Sequence, residues 1–380
     1  MWNRESNELK NLKLFAKNLK ENKNDRYEIE NEKFTKLIEE RYYENKELYG
    51  RARDFYYSGK LSEAINNFYD LINNIQLLHE ELKTQLELGN YDDRNKLNDL
   101  TGKEWLRHTK SWNIFDGKPS DIPREIKDHP ASFPPDLIQF YVEFFTKKGG
   151  WVLDPFIGIG STAVACKNIK RSCWGTEINS KYYSYAVDRL KRDFADISTF
   201  TSELNKEKVL QQKLVHKIFN EDCRNIEKIA KENRYPPVDF CITSPPYWNI
   251  LETSRGGVRS AHKQRIEEGL DEKYTEFVND LGNITDYEEY LNELRKIFEQ
   301  VYTLLKPKGY LMIILQNVRP KDGIMVPIAW DLAKELSKTY LLRQEFIWCQ
   351  NQKFMGIWGY PTTYVSNVHH HYCLVLQKPE

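Results

Sequence analysis

Trp151-Val152-Leu153-Asp154-Pro155-Phe156-Ile157-Gly158-Ile159-Gly160-Ser161-Thr162-Ala163-Val164-Ala165-Cys166 reads as a strand, a glycine turn and a helix in immediate succession. Gly158 and Gly160 allow positive φ and let a ligand approach the backbone, and a helix opening at Ser161 presents N–H groups that no earlier carbonyl takes up. About twenty residues on, Cys173-Trp174-Gly175-Thr176-Glu177 reads as the next strand, with Glu177 at its carboxyl end, where a carboxylate can take both ribose hydroxyls of an adenosine. Together these segments predict the nucleoside-binding half of a doubly wound α/β sheet.

The spacing Gly158-x-Gly160-x-x-Ala163 with Glu177 also fits a dinucleotide fingerprint, so an NAD-dependent enzyme is a competing expectation. Asp154-Pro155 argues against it. A carboxylate before the glycines repels a pyrophosphate, but it suits a ligand that carries an ammonium and a sulfonium, such as S-adenosylmethionine.

Further apolar runs extend the sheet. Val215 to Asp222 is expected to be a third strand with an acid at its end; Asp222 is placed to accept from an adenine amino group, to cap the helix that follows, or both. Val238-Asp239-Phe240-Cys241-Ile242 is a fourth strand, and it runs into Thr243-Ser244-Pro245-Pro246-Tyr247-Trp248. Two prolines fix two φ angles and carry no N–H, so this turn is stiff and its carbonyls face outward as acceptors beside the Ser244 hydroxyl and two aromatic faces. Such a cluster suits a planar ring with an amino group; packing of the aromatic residues beneath the turn is the plainer alternative. Asp286 to Leu305 is predicted as a helix, Lys306-Pro307-Lys308-Gly309 as a turn, Tyr310 to Leu315 as a central strand and Val326 to Leu336 as a helix. Gln344 to Cys349 and His371 to Gln377 are expected as a terminal antiparallel pair.

Upstream, residues 1–104 are rich in Lys, Glu, Asn and Leu, with apolar faces at helical spacing such as Leu61, Ala64, Ile65, Phe68 and Leu71. They predict an α-helical region serving DNA recognition, dimerisation or simple capping of a catalytic domain spanning 105–380. Tyr56 to Ile65 resembles one turn of a tetratricopeptide-type hairpin, without a second copy. Trp105 to Pro135 reads as a linker and ordered entry loop, with Asp136 placed to cap a helix from Leu137 to Phe145 that ends at Gly149-Gly150.

The chain of 380 residues has 56 basic and 56 acidic side chains, so any nucleic-acid surface must be local. Arg255 and Arg259 in the cationic stretch within 249–282 are the candidates for phosphate contacts, although acidic Glu267, Glu268, Asp271 and Glu272 follow at once. The six cysteines form no metal-ligand or redox spacing, and no segment has the apolar length to span a bilayer; the expectation is buried thiols in a soluble cytoplasmic protein. His369-His370-His371 alternate faces of a strand and do not converge on one ion, so no metal is expected.

These residues resemble the S-adenosylmethionine-dependent amino-methyltransferases of DNA. Asp154-Pro155-Phe156-x-Gly158-x-Gly160-Ser161-Thr162 looks like their cofactor loop, and Phe133-Pro134-Pro135-Asp136-Leu137-Ile138 resembles the segment that cradles the methionine end of the cofactor. Ser244-Pro245-Pro246-Tyr247-Trp248 looks like the catalytic motif of the cytosine-specific members, where adenine-specific members more often carry Asp or Asn in place of Ser. The resemblance covers Trp105 to Glu380 and implies a Rossmann-like class I methyltransferase sheet with S-adenosylmethionine as cofactor. It implies transfer to the N4 amino group of cytosine in double-stranded DNA, in a restriction–modification setting with a cognate endonuclease as partner. Catalysis would fall to Ser244, Pro245, Pro246 and Tyr247. Cofactor contacts would fall to Phe133, Asp154, Phe156, Gly158, Gly160, Ser161, Thr162, Glu177 and Asp222, and Trp248, Arg255 and Arg259 would meet the substrate. Rival expectations are adenine-N6 methylation, guanine-N2 methylation of RNA, and a DNA-binding protein with a degenerate methyltransferase fold.

Overall fold

The computed structural model describes residues 51, 91–115, 133–191, 214–248, 280–319, 324–351, 355, 361–362 and 366–380. The chain separates into two compact units, Met1–Asn90 and Tyr91–Glu380, and every element below belongs to the second. The helical faces expected before residue 90, the tetratricopeptide-like turn, and Arg255 and Arg259 lie outside the described residues.

Eight strands form one sheet: β1 (Trp112–Ile114), β2 (Trp151–Asp154), β3 (Ser172–Thr176), β4 (His216–Phe219), β5 (Val238–Thr243), β6 (Leu305–Leu315), β7 (Leu341–Cys349) and β8 (His370–Gln377). Their order is β1-β7-β8-β6-β5-β2-β3-β4. β8 runs antiparallel to both β6 and β7, and every other neighbouring pair is parallel. This is the expected Rossmann-like sheet, mostly parallel with an antiparallel pair at its C-terminal end. The strand order reverses between β2 and β5, and in open α/β sheets the crevice for a ligand opens beyond the carboxyl ends of the strands at such a point.

Helices cover both faces. In chain order they are α1 (Gly102–His108), α2 (Pro135–Phe145), α3 (Ser161–Asn168), α4 (Ser180–Lys191), α5 (Ile226–Glu232), α6 (Tyr287–Leu304) and α7 (Ile328–Leu336). Alternate strand residues feed opposite cores because side chains alternate faces along a strand. Leu153, Cys241, Leu311 and Ile313 pack with α5, α6 and α7, whereas Val152, Phe240, Ile242, Met312 and Ile314 pack with α2 and α3. Burial on both faces explains why these strands read as unbroken apolar runs.

Several local expectations are corrected. Residues 102–114 are not simply linker. Thr101 and Glu104 form a reciprocal capping box at the start of α1, and β1 adds a parallel edge strand to β7. Helix α2 begins at Pro135, so Asp136 is not its cap: a proline lacks the N–H that a first-turn position leaves unbonded and already holds helical φ. The helix ends at Phe145 as expected, but Gly149-Gly150 is not what stops it: Thr146 turns extended, and its hydroxyl donates to the Val142 carbonyl at 2.5 Å. Lys306 to Gly309 is not a separate turn but a bulge inside β6, where the pairing with β5 shifts register between Val238 and Phe240. All six cysteines are free thiols, five of them buried. Among the described residues no helix is long and apolar enough to cross a membrane.

Candidate active site

Strand β2 ends in Asp154, whose carboxylate is 3% exposed. Its Oδ2 accepts from the Thr162 hydroxyl at 2.6 Å; its Oδ1 accepts from the Thr243 hydroxyl at 2.5 Å and from the Phe156 N–H at 3.1 Å. Burial pushes this carboxyl up to about 6, against the three donors, which favour the charged form. The loop that follows is fixed from below. The buried Arg189 guanidinium on α4 donates to the Ile159 carbonyl at 2.6 Å and to the Ser161 hydroxyl at 3.3 Å.

The two glycines of the loop do different work. Gly158, at φ 54°, lines the cleft described below. Gly160, at φ 81°, caps α3 instead, and a Cβ there would lie 2.9 Å from that of Ala186, so its bareness serves helix packing.

Glu177 follows β3 directly. Its Oε1 accepts from the Asn179 N–H at 2.7 Å, and burial pushes its carboxyl up to about 7. Asp222 caps the short turn after β4 through the Arg224 N–H at 2.8 Å and also accepts from the Arg224 guanidinium at 2.9 Å. The same guanidinium reaches Glu293 on α6 at 3.0 Å, so the capping alternative foreseen for Asp222 is realised within an ion-pair network.

Beyond β5 the Pro-Pro turn is held by named bonds. The Ser244 hydroxyl donates to the Tyr247 hydroxyl at 3.2 Å. The Pro246 carbonyl accepts from the Tyr290 hydroxyl at 2.6 Å and from the Trp248 N–H at 3.0 Å. Trp248 takes φ 39°, unusual for a bulky residue, with its ring packed edge-on to Tyr287 at 5.2 Å. Tyr247 lies 6.0 Å from His371, which stacks on Trp348 at 4.4 Å.

These parts meet around a cleft at the strand reversal. The cofactor-loop residues Asp154, Phe156, Gly158, Ser161 and Thr162 line one side. Glu177 and Asp222 line the next, and Phe133, Ser244, Pro245 and Pro246 close it. Gly160, Tyr247 and Trp248 lie outside that lining. Five carboxylates, of Asp154, Glu177, Glu221, Asp222 and Asp280, face Arg224 as the one lining cation among the described residues. That balance suits a cationic ligand and opposes a pyrophosphate, the distinction drawn above between the two glycine-loop chemistries.

Some residues of the site carry no motif. Asp280 and Tyr182 line the cleft, and Thr243 and Tyr290 anchor it from behind. Asp280 caps the short turn Leu281–Asn283 through the Gly282 N–H at 2.9 Å; an Asp followed by a Gly two positions on was the available signal, and it is a common one.

A family model described as DNA methylase, of N6/N4 type, matches residues 3–188 and 238–380. The Type II methyltransferase M.SmaI of Serratia marcescens is 42% identical over 64 residues, which is 17% of this chain and 22% of that protein. The Type II methyltransferase M.BglI of Bacillus subtilis is 31% identical over 145 residues, 37% of each. The chain therefore spans well under two thirds of the relatives it matches. Among solved structures, TrmN from Thermus thermophilus aligns with a TM-score of 0.36 and 16% identity over 67% of this chain and 52% of that one; the fold stands on its strand order, not on that likeness. With two matched segments that take in the Asp154–Thr162 loop, Glu177 and the Pro-Pro turn and make up most of the sequence, this chain belongs to the N6/N4 DNA methylase family.

Proposed function

We propose that the protein is a DNA methyltransferase that uses S-adenosylmethionine to modify the exocyclic N4 amino group of cytosine. One observation carries this: the Ser244-Pro245-Pro246 turn lines the same acid-rich cleft as the Asp154–Thr162 loop and Glu177. Bound there, S-adenosylmethionine supplies an electrophilic methyl group on a sulfonium. Glu177 is suited to the ribose hydroxyls, Asp154 and its neighbours to the positive end of the ligand, and Asp222 to the adenine amino group. Phe133 and Phe156 offer apolar surface beside them.

The exocyclic amine of cytosine is a poor nucleophile because its lone pair is delocalised into the ring. A flipped-out base whose amino group faces the turn meets two acceptors, the Ser244 hydroxyl oxygen and the Pro245 carbonyl. The latter has no hydrogen-bond partner among the described residues. Accepting both amino hydrogens draws the nitrogen toward tetrahedral geometry and aims its lone pair at the cofactor side of the cleft. Ser244 then passes the surplus proton toward solvent. Burial raises the thiol values of Cys223 and Cys241 well above the usual range, consistent with a route that needs no thiolate nucleophile.

Ser rather than Asp or Asn before the two prolines supports cytosine over adenine. The Type II names of the relatives support a restriction–modification setting with double-stranded DNA as substrate and a cognate endonuclease as partner. Tyr247 and Trp248 would contact the flipped base after a local rearrangement; the helical region expected over 1–104 would serve as a module of its own, and the catalytic domain expected over 105–380 would begin earlier, at Tyr91, where the second compact unit starts.

Methyl-labelled S-adenosylmethionine, offered with duplex DNA in one reaction and total RNA in another, tests the substrate class. Label in DNA is the expected result, and label confined to RNA would overturn it.

A further inference from the structure

Asp154 joins the two sides of the cleft. The β2–β5 ladder pairs Val152 with Phe240 and Leu153 with Cys241. Beyond it the link passes to side chains: Asp154 at the end of β2 accepts from Thr243 at the end of β5 at 2.5 Å, and from Thr162 on the first turn of α3 at 2.6 Å. Thr162 and Thr243 are each 2% exposed. The next residue after Thr243 is Ser244.

A β-branched residue at the end of a buried strand needs no special explanation, and valine would fill the same volume. The hydroxyl is the distinguishing part, because a buried carboxylate needs donors and this one draws them from three segments. Remove the Thr243 donor and Asp154 still holds Thr162 and the Phe156 N–H, so the cofactor side of the cleft stays built. Only the Pro-Pro turn loses an anchor: its first residues are released, while Tyr290 still holds the Pro246 carbonyl.

We infer that Thr243 is a positioning residue whose hydroxyl, held by Asp154, sets where the Ser244 hydroxyl and Pro245 carbonyl sit relative to a ligand bound by the β2–α3 loop. This rests on the proposed use of that turn as an amino-group clamp. It adds a route by which occupancy of the cofactor side reaches the clamp, since a cation near Asp154 favours the charged carboxylate and so tightens the bond that its Oδ1 accepts from the Thr243 hydroxyl.

The test compares Thr243→Val, Thr243→Ser and Thr162→Val by calorimetry with S-adenosylmethionine, by turnover on DNA, and by amide exchange of Ser244, Tyr247 and Trp248 with and without cofactor. Thr243→Val should bind cofactor within about threefold of wild type but lose at least roughly tenfold in kcat, the scale of cost for a small displacement of reacting groups. It should also lose the slowing of exchange that cofactor brings to the turn, and Thr243→Ser should recover both. Thr162→Val should weaken cofactor binding while keeping the exchange response, so it decides the matter if Thr243→Val does not fold. Wild-type kcat and exchange in Thr243→Val, an equal loss of cofactor affinity and kcat, or failure of Thr243→Ser to recover would overturn the inference. Loss of the turn's response in Thr162→Val would do the same. A wild-type protein that slows exchange with cofactor but methylates no DNA would sink the proposed function and leave the exchange comparison to judge Thr243.

Discussion

The Tyr290 hydroxyl, on a helix residue with no exposed surface, donates to the Pro246 carbonyl at 2.6 Å and so clamps the second proline of the turn from beneath. Removing it by Tyr290→Phe leaves the carbonyl one partner, the Trp248 N–H at 3.0 Å. The stability cost should therefore stay near about 1 kcal/mol, the net worth of one hydrogen bond. Turnover should fall several-fold with cofactor affinity unchanged; denaturant unfolding and steady-state kinetics on the same preparation check both.

Ser244→Ala removes a proposed amino-group acceptor without touching the cofactor loop. Turnover should drop by about a hundredfold, the range of one positioned proton acceptor. Binding of S-adenosylmethionine should hold. Tyr247→Phe removes only the hydroxyl that receives the Ser244 proton at 3.2 Å, and should cost less than Tyr247→Ala, which also removes the ring. Equal loss of cofactor binding in any of the three would show the turn to be misassigned.

Glu177 gives a pH signature. Burial raises its carboxyl to about 7, whereas ribose hydroxyls donate to the ionised form, so cofactor affinity should weaken as pH falls below 7, by at most about tenfold per unit. Glu177→Gln should weaken binding at pH 8 and flatten the dependence. Stability of the ligand-free protein runs the other way. Glu177 near 7 and Asp154 near 6 both lie above exposed carboxylates, so their contribution is complete below about pH 4 and is lost as pH rises through 6 and 7. The melting temperature should be lower at pH 8 than at pH 5, and Glu177→Gln should narrow the gap. Calorimetry and thermal melts across that window read the two trends separately.

Gly175→Ala should be severe although the residue lies in a strand. A Cβ there would stand 2.2 Å from the Asp154 carbonyl oxygen and 2.9 Å from Ile157 Cδ1, so β2, β3 or the cofactor loop would have to shift. Overpacking of that kind costs about 3 kcal/mol or more where backbone cannot yield. Unfolding midpoints measure it, and a near-neutral result would mean that the β2–β3 contact is looser than described.

The strands around the cleft were legible because two-sided burial leaves an apolar run, as at Trp151 to Leu153 and Tyr310 to Leu315, and because Gly158 and Glu177 stand at turn and strand end. Strand β1 was not: it is three residues long with Trp112 and Ile114 exposed, and it exists only because β7 offers an edge. The Lys306–Gly309 bulge carries turn residues because Lys308 sits at φ 63° and a Cβ on Gly309 would meet the Lys306 carbonyl at 2.9 Å, yet the ladder continues through it. Tertiary pairing overrode local turn chemistry there. The bond from Thr243 to Asp154 joins residues 89 apart, and no local pattern announces it.

Digestion to nucleosides of duplex DNA methylated by the purified protein with labelled S-adenosylmethionine bears most directly on Ser244 as the residue that favours cytosine. Label is expected in N4-methylcytosine. Label in N6-methyladenine instead would contradict the base assignment while leaving the cleft and its cofactor in place.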